Sequence, residues 1–160
     1  SARRRFQVIG KAGGVTIVDD YAHHPTEVKF TIEAARLGWN GAGKIIMVFQ
    51  PHRYTRTRDL MMEFASAFDR ADEVIITDIY SADEAPIAGV TAKDLSLKIQ
   101  ATGTRPVHYV GRKESVAQHL LPKLSTGDIV IFSGAGDIYH SAKEVYALLH
   151  DQEQYAKQNV

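Results

Sequence analysis

No cysteine occurs among the 160 residues, so disulfides and thiolate metal sites are excluded and any metal would have to be held by imidazole and carboxylate groups. That absence fits the reducing cytoplasm. An excess of charge of one sign is also missing: Lys and Arg number 19, Asp and Glu number 19, and the formal net charge is zero. That balance argues against a broad nucleic-acid or membrane-binding surface, and electrostatic recognition must be local. No apolar run approaches the roughly 20 residues needed to cross a bilayer. The start, Ser1-Ala2-Arg3-Arg4-Arg5-Phe6, lacks the apolar stretch of a signal peptide. The chain therefore reads as soluble and cytoplasmic, with neither nucleic acid nor membrane among its partners. Internal repeats and low-complexity segments are absent too, and the length suits one domain, residues 1–160, with a core of its own.

What is present is an alternation. Short runs rich in β-branched residues recur at 15–18, 45–49, 74–77, 107–110 and 129–132, separated by stretches with helical periodicity. This predicts an α/β fold with a parallel sheet covered by helices on both faces. Residues 1–14 fit less well: Phe6-Gln7-Val8-Ile9 followed by Gly10-Lys11-Ala12-Gly13-Gly14 predicts an antiparallel edge strand and a glycine hairpin, giving about six strands in all. Pro25 suits a first helical position, and Val28, Ile32 and Ala35 give one apolar face before Gly38. A second helix is predicted with Leu60, Met61, Phe64, Ala67 and Phe68 inward, a third from Thr91 as cap through Ile99, a fourth carrying Val116, Leu120, Leu121 and Leu124, and a fifth over about 138–149. The polar tail, 151–160, is expected to fray.

Two loops concentrate the chemistry. Asp19-Asp20-Tyr21-Ala22-His23-His24-Pro25-Thr26-Glu27 and Phe49-Gln50-Pro51-His52-Arg53-Tyr54-Thr55-Arg56-Thr57-Arg58 each follow a strand and precede a helix, so both open at the carboxyl edge of the sheet, where α/β proteins bind ligands. The first admits two readings. Either Asp19 or Asp20 caps the helix and the histidines are solvated, or a carboxylate meets a ribose diol and an imidazole meets a neighbouring polar group. The adjacent histidines diverge in direction and lack further spaced ligands, so no metal is assigned to them.

The second loop crowds three arginines onto a helix start, where the macrodipole disfavours cations. Either an anion or a carboxylate from elsewhere neutralises them, the planar guanidinium being suited to bidentate carboxylate or phosphate, or they form a surface ion-pair network with Asp59 and Glu63. Arg58 is assigned to the latter. Gly134-Ala135-Gly136-Asp137 after the last strand suggests a phosphate turn or merely close helix packing, and no Gly-Lys-Ser or Gly-Lys-Thr phosphate loop occurs. Asp78 to Glu84 forms an acidic loop that falls beside the arginines.

Together with Glu84-Ala85-Pro86-Ile87 and Gly134-Ala135-Gly136-Asp137-Ile138, these two motifs resemble the C-terminal domain of the Mur ligases, and within that family the branch that couples L-alanine to UDP-N-acetylmuramate. The resemblance runs through nearly the whole chain. It implies a Rossmann-like third domain that closes over a UDP-sugar domain and a central ATPase domain, both expected to lie outside this chain, with residues 1–14 as edge strand and interdomain linker. It implies that ATP phosphorylates the lactyl carboxylate and that the amine of L-alanine attacks the acyl phosphate, as a step in peptidoglycan precursor synthesis. Mg2+ would neutralise phosphates held mainly by the central domain. By matching positions, Asp20 would hold the ATP ribose, while Tyr21, His24, His52 and Arg56 would line the amino-acid site with Arg53 nearby. Arg56 is assigned the L-alanine carboxylate. No catalytic residue and no metal ligand is implied here, and the chain alone is expected to be inactive. Asp83 stands where the family commonly has glycine, so the 80–84 loop is assigned no role. Two alternatives stay open: a recycling ligase that attaches a tripeptide to the same nucleotide sugar, and a free-standing nucleotide or amino-acid binding module.

Overall fold

Strands and helices alternate as the apolar pattern demands in a computed structural model that describes residues 5–39 and 43–160. In chain order the elements are β1 (Gln7–Ala12), β2 (Val15–Asp20), α1 (Pro25–Gly38), β3 (Ile45–Phe49), α2 (Tyr54–Asp59), α3 (Met61–Ala65), β4 (Glu73–Thr77), α4 (Ala92–Gln100), β5 (Val107–Gly111), α5 (Val116–Leu120), β6 (Ile129–Ser133) and α6 (Tyr139–Gln158). The sheet order is β1-β2-β6-β3-β4-β5. All neighbours are parallel except β1 and β2. The Gly13-Gly14 turn between those two has φ of 58° and 76°, a left-handed pair that glycine adopts without a Cβ penalty. Arg3 and Arg4, read as the lead-in to this edge, lie outside the described residues.

Successive strand residues face opposite sides, and in the central strands both sets are apolar. Val18, Met47, Ile76 and Ile131 pack on one face against Val28 and Ile32 of α1, Phe64 of α3, Phe68, and Leu95 and Ile99 of α4. Ile17, Val48, Ile75 and Phe132 pack on the other against Val116 and Leu120 of α5 and Ile138, Ala142, Val145 and Leu149 in and before α6. A sheet buried on both sides produces the continuous apolar runs seen in the sequence.

Three helices differ from their sequence reading. The second predicted helix is interrupted at Leu60 (φ −113°, ψ 17°), and after Ala65 it tightens to i→i−3 turns, Ala67 N donating to Phe64 O and Ala71 N to Phe68 O. Its predicted apolar face is nevertheless inward, with Phe64, Ala67 and Phe68 buried. Thr57, fully buried, contributes to the break by donating its hydroxyl back to Arg53 O at 2.8 Å, a bond that bends helices. The fourth is cut to Val116–Leu120, with single 3-10 turns at Lys113–Ser115 and Leu121–Lys123. Pro122 lies in the second of these and cannot continue a helix. Conversely, α6 does not fray after Asp151. It remains helical to Gln158, anchored by Glu153, which accepts from Gly13 N at 2.6 Å and pairs with Lys157 at 3.5 Å.

The carboxyl edge is stitched around the end of β6. Ser133 Oγ donates to Ala22 O at 2.6 Å, Gly134 N to Asp20 O at 3.1 Å, and Gln50 N to Ser133 O at 3.0 Å. These bonds fix the β2–α1 and β3–α2 loops side by side. No helix among the described residues is long and apolar enough to cross a membrane. Phe68 has zero exposure and lies against Phe49 at 5.3 Å between ring centroids, so Phe68→Ala is expected to lower unfolding free energy by about 3–5 kcal/mol, measured by urea denaturation.

Candidate functional site

Beside β6, the two loops enclose a cleft of about 610 Å³ lined by Tyr21, His23, His52, Arg53, Thr55, Arg56, Asp59 and Leu60. A second groove, between α1 and the turn after α3, exposes mostly the apolar surface of Phe30, Ile32 and Ala67, with Lys29, Glu33, Asp69 and Arg70 also in its lining.

The floor of the cleft is a chain of rings. Tyr21 meets His23 edge-on at 5.0 Å, His23 meets His52 at 5.9 Å, and His52 stacks on Tyr80 at 5.6 Å and 14°. Tyr80 is fixed by the backbone: its N–H donates to Pro51 O and its carbonyl accepts from Arg53 N, both at 2.8 Å. Removal from water, then the charges of His23, Arg56 and Arg53, push the His52 imidazole down to about 4. It is therefore neutral at pH 7, and Arg56 Nη1 lies 3.4 Å from its Nδ1.

Arg53 holds φ 70°, a left-handed conformation uncommon for a branched-free but bulky residue. Its carbonyl accepts from Thr57 N at 3.2 Å and Thr57 Oγ1 at 2.8 Å, and its N–H is held by Tyr80. One turn on, Arg56 points into the same cleft. Neither arginine has a carboxylate oxygen within 4.0 Å among the described residues. The counter-charge at the start of α2 is Glu84, which accepts from Thr55 N at 3.1 Å and Thr55 Oγ1 at 2.5 Å. Those bonds from the hydroxyl and the amide hold its carboxyl below the usual range. Glu84 thus satisfies the helix terminus and leaves both guanidinium groups facing the cleft. Arg58 pairs with Asp59 at 2.8 Å on the surface.

Other predicted positions fall elsewhere. His24 is not in the cleft. It is the N-cap of α1, its Nδ1 accepting from Thr26 N at 3.2 Å while Glu27 accepts from His24 N at 3.0 Å, so a capping box stands where one of the two readings put an aspartate cap, and His23 takes the cleft position. Asp20 is 3% exposed and turned inward. Its oxygens accept from Ala22 N at 2.9 Å, Thr31 Oγ1 at 3.0 Å and Phe6 N at 3.3 Å. Burial raises its pKa, partly offset by those bonds. The Gly134 to Asp137 turn is filled rather than open: a Cβ on Gly136 would lie 2.6 Å from Tyr80 Cγ and 2.7 Å from Gln50 Oε1. Close packing explains its small residues.

A family model described as "Mur ligase, glutamate ligase domain" matches residues 4–136. The chain belongs to the Mur ligase family. Among its relatives, the UDP-N-acetylmuramate--L-alanine ligase of Geotalea daltonii is 49% identical over 148 residues, covering 92% of this chain and 32% of that protein. That of Anaeromyxobacter dehalogenans is 50% identical over 147 residues, covering 92% and 31%. This chain therefore spans about a third of the length of the curated relatives it matches. The crystal structure of the UDP-N-acetylmuramate-alanine ligase of Thermotoga maritima aligns with a TM-score of 0.75 at 25% identity, covering 93% of this chain and 30% of that one. A murein peptide ligase of Psychrobacter arcticus shares the fold, with a TM-score of 0.74 at 16% identity over 92% of this chain and 30% of that one.

Tyr80, Thr55 and Glu84 escaped assignment in this Mur ligase domain from sequence alone. The signal for Glu84 was the unmet charge of the arginine turn beside an acidic loop. The signal against it was Asp83, which adopts φ 69° after Ala82 at 49°. That conformation suits glycine, and aspartate is among the residues that tolerate it, so the loop retains a glycine-like turn.

A His52 imidazole that binds its proton only near pH 4 in the folded state, against 6.5 when unfolded, makes the unfolded chain the better proton binder between those values. Stability is expected to fall as pH drops from 6.5 to 4, and His52→Gln to flatten that slope. An NMR titration of the ring should find a midpoint near 4, and a midpoint above 6 would contradict this electrostatic reading.

Proposed function

We propose that this domain holds L-alanine in the arginine cleft for an ATP-dependent ligase that joins it to UDP-N-acetylmuramate through an acyl phosphate, in peptidoglycan precursor synthesis. The observation that carries the reading is the pair Arg53 and Arg56, lining one cleft with no carboxylate oxygen within 4.0 Å of either among the described residues, Asp59 being paired with Arg58, while His52 beside them stays neutral. An amino-acid carboxylate supplies the missing charge, and a guanidinium binds it with two parallel bonds. Arg56 takes the carboxylate and Arg53 flanks it. Tyr21, His23 and His52 wall the small side chain.

The chemistry this arrangement supplies is positioning. Fixing the carboxylate end of the amino acid leaves its amine directed away from the domain, toward an acyl phosphate held by the rest of the enzyme, and such orientation lowers the entropic part of the barrier. A neutral His52 leaves the carboxylate site free of a third fixed cation. ATP and Mg2+ would be held mainly outside this chain, Mg2+ offsetting phosphate charge. Within the chain the ribose falls to Asp20, whose longest bond, from the Phe6 amide at 3.3 Å, is the one a ribose hydroxyl would replace. Such nucleotide substrates fit a cytoplasmic enzyme. Between the two ligase readings, relatives named for L-alanine at about half identity over nearly the whole chain favour L-alanine over a tripeptide.

The test is Arg56→Ala in the full-length ligase. A charge-assisted bond of about 1.5–3 kcal/mol corresponds to an increase of about 10 to 150-fold in the apparent KM for L-alanine, with the KM for UDP-N-acetylmuramate unchanged. An unaltered KM for L-alanine removes the role given to Arg56. The 160-residue chain alone, given ATP, Mg2+, UDP-N-acetylmuramate and L-alanine, is expected to release phosphate no faster than a heat-killed control.

A further inference from the structure

At the opposite, amino edge of the sheet, Glu73 opens β4 as a buried carboxylate, its side chain 7% exposed. Its Oε2 has no hydrogen-bond partner. Three groups approach without bonding: His108 Nε2 and Lys123 Nζ each lie 3.8 Å from Oε2, and Lys44 Nζ lies 3.9 Å from Oε1. Such distances give Coulombic relief but no hydrogen bond, and a buried carboxylate lacking one is costly. His108 of β5 and His119 of α5 face each other with ring centroids 4.7 Å apart. One ligand atom from each of Glu73, His108 and His119 lies within 4.8 Å of the other two.

We propose that Glu73, His108 and His119 form a binding site for a divalent transition-metal ion of the zinc class. Two imidazoles and a carboxylate are ligands that Zn2+ accepts, with water completing a tetrahedron. Tetrahedral zinc with bonds of about 2.0–2.1 Å sets ligand atoms roughly 3.4 Å apart. The 3.8 Å between Glu73 Oε2 and His108 Nε2 therefore closes by a few tenths of an ångström. A cation already occupies this locus: Lys123 Nζ sits 3.0 Å from His119 Nε2 as well as 3.8 Å from Glu73 Oε2. Lys123 is 39% exposed on a flexible stem, so the metal displaces it into solvent and exchanges a distant ammonium for direct coordination. Because the ligands come from β4, β5 and α5, the ion pins the outer edge strand and its short helix to the sheet. Binding only to the folded chain raises its stability by linkage. Nothing in this site depends on the arginine cleft.

The experiment is calorimetric titration of zinc chloride into the 160-residue chain, with Co2+ absorption as an independent report of tetrahedral coordination. One equivalent is expected to bind, weakening by about tenfold or more in Glu73→Gln and in His119→Gln and tightening in Lys123→Ala, where the competing ammonium is gone. Binding is expected to be unchanged in His52→Gln, which removes one ring of the His23–His52 pair at the other edge of the sheet. Lys123→Ala alters an exposed residue and decides the matter if either ligand variant fails to fold. No binding at about 1 mM zinc, a Kd regime too weak to matter, in both the wild type and Lys123→Ala would overturn the proposal. So would binding that survives Glu73→Gln and is lost in His52→Gln.

Discussion

The carboxylate of Glu84 on the amide and hydroxyl of Thr55 is the contact on which the cleft depends. The sequence suggested arginines crowded on a helix start, but in the six-residue α2 only Arg53 sits at that end, as N-cap, while Arg56 and Arg58 lie in the last turn, where the macrodipole favours cations. The strain is in Arg53, whose backbone is left-handed at φ 70°, and it is tolerated because neighbouring elements over-determine it. Glu84 satisfies the terminus, Tyr80 clasps the Arg53 amide, and Thr57 closes on the Arg53 carbonyl. Glu84 spends its hydrogen bonds on Thr55 and acts on Arg53 only through space, and neither Arg53 nor Arg56 has a carboxylate oxygen within 4.0 Å among the described residues, which suits the site to an anion.

The sheet supplies the rigidity this requires. Ser133 at the end of β6 links Ala22 on one loop and Gln50 on the other, and Gln50 in turn donates to Asp137 at 2.8 Å and accepts from Ile138 N at 3.2 Å. Tyr80 packs between His52 and Gly136. The loops after β2, β3, β4 and β6 thus form one hydrogen-bonded rim over a core buried on both faces. A displacement of any of them would move the ring chain and the arginines together.

Much of this was legible in the residues. The β-branched runs marked the central strands because both faces of those strands are buried, and Thr91 was readable as a cap because its hydroxyl accepts from Asp94 N at 3.0 Å. The two polar loops stood out because strand ends carry them to one edge. What escaped depends on distant partners. Whether His23 or His24 faces the cleft is set by which of them caps α1, and histidine is not a residue that capping preferences point to. The interruption at Leu60 follows from Thr57 and Arg53, whose bond has no signature in apolar periodicity. Helicity past Asp151 rests on Glu153 reaching Gly13, a contact between opposite ends of the chain. Asp20 stood out because it is acidic at a strand end, but its bonds to Ala22, Thr31 and Phe6 are made by residues that no local pattern links to it.

The central claim is that an amino-acid carboxylate fills the space facing Arg53 and Arg56. A crystal structure of the full-length protein with UDP-N-acetylmuramoyl-L-alanine, the product of the proposed reaction, tests it most directly. The account predicts the alanyl carboxylate in bidentate contact with Arg56 at about 2.7–2.9 Å, with His52 and His23 against the methyl group. A carboxylate bound elsewhere, with the arginine cleft filled only by solvent, would contradict it.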